Sequence, residues 1–118
     1  MNATFSVPCA NIEQLEPGLK IIDDGKERTV PSGRIDITAM DQSGTTVIIE
    51  LKSGTANRDA IGQILSYLGD LSREPTRPRG ILVAEDFSPA AVSAALAVPN
   101  IVLVRYAFNF SFGAIACR

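Results

Sequence analysis

The feature that most constrains this chain is a pair of strand-like segments, residues 33–40 and 45–52, joined only by Asp41-Gln42-Ser43-Gly44. Asp, Ser and Gly are turn residues, and a link this short can join neighbouring strands only in antiparallel fashion. The spacing therefore predicts a hairpin. Before it, Pro17-Gly18 punctuates the chain and residues 19–23 read as a first strand. After it, Asn57 caps a helix reaching about residue 71, with Ile61, Ile64, Leu65, Leu68 and Leu71 at helical spacing. A loop with Pro75 and Pro78 leads to a buried strand at 81–84. Ser88 caps a second helix, with Pro89 at its first position, running to about residue 97. Residues 101–106 read as another buried strand. From residue 107 on, Phe108, Phe110 and Phe112 alternate with Asn109, Ser111 and Gly113, a strand with one aromatic face. A hairpin followed by helix–strand–helix–strand predicts an α/β domain on a mixed central sheet with flanking helices.

The 118 residues suit one domain spanning 1–118. With 46% apolar and 20% charged residues the chain is not a disordered one. Eleven basic and 13 acidic residues leave a net charge of −2, so a nucleic-acid partner would have to be held by local features. Histidine is absent. That excludes Ser-His-Asp and Cys-His pairs and histidine-bound zinc, and it leaves base chemistry to a carboxylate, a lysine or a metal-bound water. Cys9 and Cys117 have no CxxC spacing and read as reduced, structural thiols. No apolar run approaches 18 residues, the stretch 90–98 reads as a buried helix, and the first residues do not resemble a signal peptide. The expectation is a cytoplasmic protein with no membrane partner.

The hairpin carries the chemistry. Along Val47-Ile48-Ile49-Glu50-Leu51-Lys52 side chains alternate, so Glu50 and Lys52 share a face. A turn centred near Ser43 makes paired residue numbers sum to 86, which sets Asp36 opposite Glu50. Like charges in opposed positions destabilise a sheet unless they share a proton or a cation. With Lys52 one pleat away, the pattern makes a small oxygen-ligand site suited to Mg²⁺ or Mn²⁺. The competing reading is a set of charges on the solvent side of a half-exposed hairpin, and a register shifted by two would also part the carboxylates.

On the first helix Gln63 and Tyr67 stand at i and i+4 beside the apolar stripe. An amide and a phenol there can anchor a lysine or a phosphate, or simply pack and face water. Gly62, Ser66 and Gly69 line another face, open to internal packing or to a dimer contact.

Gly33-Arg34-Ile35-Asp36, Val47 to Lys52 and Gly62-Gln63-Ile64-Leu65-Ser66-Tyr67-Leu68, together with Asn11 to Leu19 and Arg79 to Glu85, resemble the PD-(D/E)xK nuclease superfamily. More narrowly, they resemble the catalytic domain of NucS (EndoMS) type endonucleases and their RecB-like relatives. The resemblance covers roughly the first three quarters of the chain. It implies a restriction-endonuclease-like core and metal-assisted hydrolysis of a DNA phosphodiester, of structure-specific or mismatch type. By position it implies that Asp36, Glu50 and the Leu51 carbonyl hold the ion. Lys52 orients or deprotonates the attacking water, and Gln63 and Tyr67 support the lysine and the DNA backbone. Such nucleases bear a further glutamate upstream. Here Met1 to Ala10 contain no acid, with Glu13 and Glu16 the nearest substitutes, so a core shortened at its front helix, or a piece of a longer chain, is expected.

Arg34, Lys52 and Arg58, with Arg73, Arg77 and Arg79, are the candidate DNA contacts, the last three being equally readable as a solvated loop. Two other readings stand beside the endonuclease. One is a non-catalytic nucleic-acid-binding or oligomerisation module that keeps the nuclease fold; the other is a metal-dependent hydrolase of a different substrate. The phenylalanine stripe and the small-residue helix face offer surface for a homodimer.

Overall fold

The computed structural model of the protein describes residues 12–22, 26–73 and 75–106. A 3-10 turn at Ile12–Gln14 precedes β1 (Lys20–Ile21), β2 (Arg28–Val30), β3 (Gly33–Ile35), β4 (Ile37–Met40), β5 (Thr46–Leu51) and β6 (Thr55–Ala56). Then come α1 (Arg58–Asp70), β7 (Arg79–Ala84), β8 (Asp86–Phe87), α2 (Pro89–Leu96) and β9 (Ile101–Arg105). Five strands form a central sheet in the order β1-β4-β5-β7-β9. β4 runs antiparallel to both β1 and β5, and β5, β7 and β9 run parallel, so the sheet is mixed as the pattern predicts.

The expected hairpin register is the observed one: Ile37 faces Ile49, Thr38 faces Ile48 and Ala39 faces Val47. Both faces of β5 are covered, which overturns the half-exposed reading. Ile48, Leu82 and Ala84 pack under α1 and α2 on one face, and Val47, Ile49, Ile81 and Val83 meet Ile12 and Leu19 on the other. Both helices start where expected. The Asn57 side chain accepts from Asp59 N–H, and the Ser88 hydroxyl accepts from Ala91 N–H. At the centre of the sheet Gly80 lets α1 come close, since a Cβ there would lie 2.7 Å from Ile64 Cδ1.

Several expectations need correction. Residues 33–40 are not one strand. Ile35 pairs with Arg28 in a separate two-stranded sheet of β2 and β3, Ile37 pairs with Ile49 in the main sheet, and Asp36 is the joint between them. The first strand is only Lys20–Ile21. Within α1 the buried positions include Tyr67, while Leu65 is 37% exposed, so the stripe is rotated from the all-aliphatic one. α2 buries Ala91 and Ala95 but leaves Leu96 82% exposed, so it is not a buried helix. Among the described residues β9 has a neighbour on one side only, and Val102 on it is exposed, so it is not a fully buried strand. Gly62, Ser66 and Gly69 are exposed, so that face takes no part in packing among the described residues. Cys9, Cys117 and the phenylalanine stripe lie outside the described residues.

Candidate active site

The site forms where β5 ends and the two small strands β2 and β3 hand the chain over to β4. Beyond the Ile37–Ile49 pair the ladder is carried by side chains. Asp36 N–H donates to Glu50 Oε2 at 3.0 Å, and Leu51 N–H donates to Asp36 Oδ2 at 2.9 Å. The facing pair expected from the register is therefore formed. Glu50 is 3% exposed. Burial pushes its carboxyl up to about 7, opposed by the Asp36 N–H bond and by the Lys52 charge and reinforced by the charges of Asp36 and Glu27.

Lys52 follows on the same face. Its backbone N–H bonds the Val83 carbonyl at 2.8 Å, continuing the parallel ladder, and its Nζ donates to Gln63 Oε1 at 2.6 Å. Tyr67 follows Gln63 one turn along α1, where the Gln63 side chain and the Arg34 backbone favour its ionised form. Burial raises the phenol's pKa above its usual value, with the charges of Glu50 and Asp36 adding to the rise. Tyr67 is 3% exposed and its hydroxyl sits against Gly33, where φ is +148° and a Cβ would lie 2.9 Å from the oxygen. The Gln63 amide thus anchors the lysine, while Tyr67 packs as a buried ring with its hydroxyl against Gly33 on the strand that leads into Asp36.

Asp36, Glu50, Lys52, Gln63 and Tyr67 are brought together. Among the described residues no set of three or more Asp, Glu, His or Cys side chains converges as a metal centre. The donor set is two carboxylates, with the Leu51 carbonyl next along the strand. That set fits a hard cation that keeps part of its water shell, as Mg²⁺ does, and a cation there would favour the charged form of Glu50 that burial disfavours. Beside Lys52 and Gln63 an open cleft of about 400 Å³ is bounded by Ser53, Thr55, Asn57 and Asp59.

The arginines divide. Arg34 is exposed on β3 and pairs with Glu27 at 3.3 Å, a weak contact at 70% and 56% side-chain exposure. Arg58 opens α1 beside the cleft and is exposed. Arg73 and Arg77 are exposed beyond the far end of α1, about 20 Å along the helix. Arg79 does not join the site. It faces Val47 in the ladder, before the Glu50 level, and its guanidinium is taken up by Glu16 and by Asp41, the latter at 3.1 Å. Glu16 is thereby committed away from Glu50, and Glu13 accepts from Gly18 N–H. The β2–β3 pair was missed in the sequence, although Arg28-Thr29-Val30 before Pro31-Ser32 carries a hairpin signal.

The likenesses of this mixed sheet with two helices on one face include several endonucleases. A family profile described as the endonuclease NucS C-terminal domain matches residues 6–99, and the chain belongs to that family. Relatives named endonuclease NucS include those of Aeropyrum pernix, 39% identical over 56% of this chain and 25% of the relative, and Thermococcus kodakarensis, 35% identical over 69% and 32%. The match thus spans a quarter to a third of these curated relatives. A repair endonuclease from Pyrococcus abyssi superposes with TM-score 0.69 at 27% identity, covering 84% of this chain and 45% of that one. EndoMS in complex with double-stranded DNA superposes with TM-score 0.67 at 24% identity, over 89% and 47%, a likeness of fold. Among the described residues no helix is long and apolar enough to cross a membrane.

Proposed function

We propose that this chain carries the catalytic centre of a divalent-metal-dependent DNA endonuclease, a PD-(D/E)xK site on a restriction-endonuclease-like core. The observation that carries the reading is the meeting of Asp36 and Glu50 across the hairpin with Lys52 held by Gln63 on the same face. Membership of the NucS family supports it. Asp36, Glu50 and the Leu51 carbonyl would hold Mg²⁺ or Mn²⁺. When bound, such an ion polarises the scissile phosphate and makes a water acidic enough to attack at neutral pH.

The chain's own groups do the rest. Lys52 has three donors, one already committed to Gln63 Oε1, so the ammonium is held in place with donors left for the attacking water and a phosphate oxygen. Tyr67, buried one turn after Gln63 with its hydroxyl against Gly33, packs between the lysine's anchor and the strand that leads into Asp36. Arg34 and Arg58 flank the site and contact DNA phosphates, with Arg73 and Arg77 further along the duplex; such contacts position DNA without reading its sequence.

The two-carboxylate donor set favours one second reading, a DNA-binding or oligomerisation module that keeps the fold without cutting. Calorimetric titration of Mn²⁺ into wild type and Asp36→Ala tests the metal site. Saturable binding that Asp36→Ala loses is expected, and a wild type that binds no Mn²⁺ contradicts it. Binding without Mg²⁺-dependent cleavage of mismatched or branched DNA supports the second reading.

A further inference from the structure

Thr38 is fully buried, yet its Oγ1 has no hydrogen-bond partner among the described residues. A buried hydroxyl without a partner is rare and costly, and valine fills the same space in a strand without that cost. The position of this hydroxyl is informative. Ile37 and Ala39 belong to the core on the sheet face away from the helices, so Thr38 stands on the helix face with Ile48 and Glu50. The register sets it opposite Ile48, which makes it the diagonal neighbour of Glu50 on β5. Diagonal neighbours in a sheet are about 7–8 Å apart, within reach of a long side chain. Glu50 spends Oε2 on the Asp36 N–H and has a second oxygen, Oε1.

We infer that Thr38 is a positioning residue for Glu50: its hydroxyl donates to one internal water that bridges to Oε1 and keeps the carboxylate turned toward Asp36. The inference rests on the metal-site reading of Asp36 and Glu50. Groups that orient a ligand in this way influence metal affinity without touching the metal.

Thr38→Val keeps the shape and removes the hydroxyl, and Thr38→Ser keeps the hydroxyl. Two quantities decide: the Mn²⁺ dissociation constant by calorimetry, and the additivity of melting-temperature shifts in a cycle of Thr38→Val with Glu50→Leu. Thr38→Val is expected to weaken Mn²⁺ binding about tenfold, Thr38→Ser to stay within about twofold of wild type, and the melting shifts not to add. Unchanged affinity in Thr38→Val with additive shifts overturns the inference. Equal weakening in the Val and Ser variants overturns it too, because packing and not the hydroxyl would then be responsible. A wild type that binds no Mn²⁺ removes the metal reading alone. The melting cycle then decides: non-additive shifts sustain the Thr38–Glu50 bridge and additive shifts overturn it.

Discussion

Asp36 and Glu50 each hold the other's strand: Glu50 Oε2 accepts the Asp36 N–H at 3.0 Å while Asp36 Oδ2 accepts the Leu51 N–H at 2.9 Å. The backbone ladder stops at Ile37 because the chain turns there into a second sheet, and two carboxylates carry the pairing on. Asp36→Asn retains a carbonyl acceptor for Leu51 and removes the like-charge repulsion. Its stability by urea unfolding is expected within about 1 kcal/mol of wild type, with Mn²⁺ binding strongly weakened. A loss of several kcal/mol would mean that the carboxylate serves the fold first.

Glu50 sets a pH dependence. Its folded-state pKa near 7 lies above the ordinary 4.5, so between these values the folded protein keeps a proton that the unfolded chain has released. The stabilisation is complete below about pH 4.5 and is lost as pH rises through 7, on the order of 2–3 kcal/mol. The melting temperature of metal-free wild type, relative to Glu50→Gln, is expected to fall from pH 5 to pH 8, and saturating Mg²⁺ to flatten that fall. A pH-independent difference contradicts the assignment.

At the hairpin turn the sign is reversed. Asp41 is lowered to about 2, first by the Ser43 hydroxyl, then by the Thr45 N–H, Arg79 and the Ser43 N–H, with burial opposing. A depressed carboxyl contributes stability above its ordinary value near 4 and loses it as pH falls toward 2. Asp41→Ala is expected to cost about 1–2 kcal/mol at pH 7, with the difference shrinking in acid. Chemical unfolding at pH 7 and pH 2.5 checks this, and an equal cost at both contradicts it.

Gly33 serves Tyr67. Gly33→Ala meets both a left-handed φ of +148° and the phenol oxygen, and is expected to cost about 1–3 kcal/mol. Adding Tyr67→Phe removes the oxygen contact but neither the ring carbon at 3.3 Å nor the backbone strain. The double variant should therefore remain less stable than Tyr67→Phe alone, as thermal unfolding would show. Equal stability of those two would place the whole cost in the oxygen contact.

What was legible in the sequence was local. The turn at Asp41-Gln42-Ser43-Gly44 set the hairpin register and with it the Asp36–Glu50 encounter, and Asn57 and Ser88 marked both helix starts, because caps and turns act over three or four residues. The break at Asp36 was hidden by the unbroken alternation through residue 40, since only the partner of Ile35, Arg28, shows that the strand changes sheets. Arg79 reads as one of a basic cluster, yet Glu16 lies 63 positions away and claims it. Tyr67 and Leu65 exchange burial because a stripe edge is decided by what packs over it, here Gly33. α2 is apolar apart from Ser93, so composition alone could not tell its whole exposed face from its buried one.

The most direct measurement is Mg²⁺-dependent cleavage of plain, mismatched and branched duplex DNA by wild type and Lys52→Ala, with Mn²⁺ affinity measured on the same samples. Lys52 touches Gln63 and not the carboxylates' hydrogen bonds. Cleavage is therefore expected in wild type and reduced about 10²–10⁴-fold in Lys52→Ala, with Mn²⁺ affinity nearly unchanged. Wild type that binds Mn²⁺ but cuts none of these DNAs, or a Lys52→Ala variant that cuts as well as wild type, would contradict an endonuclease centre built on Asp36, Glu50 and Lys52.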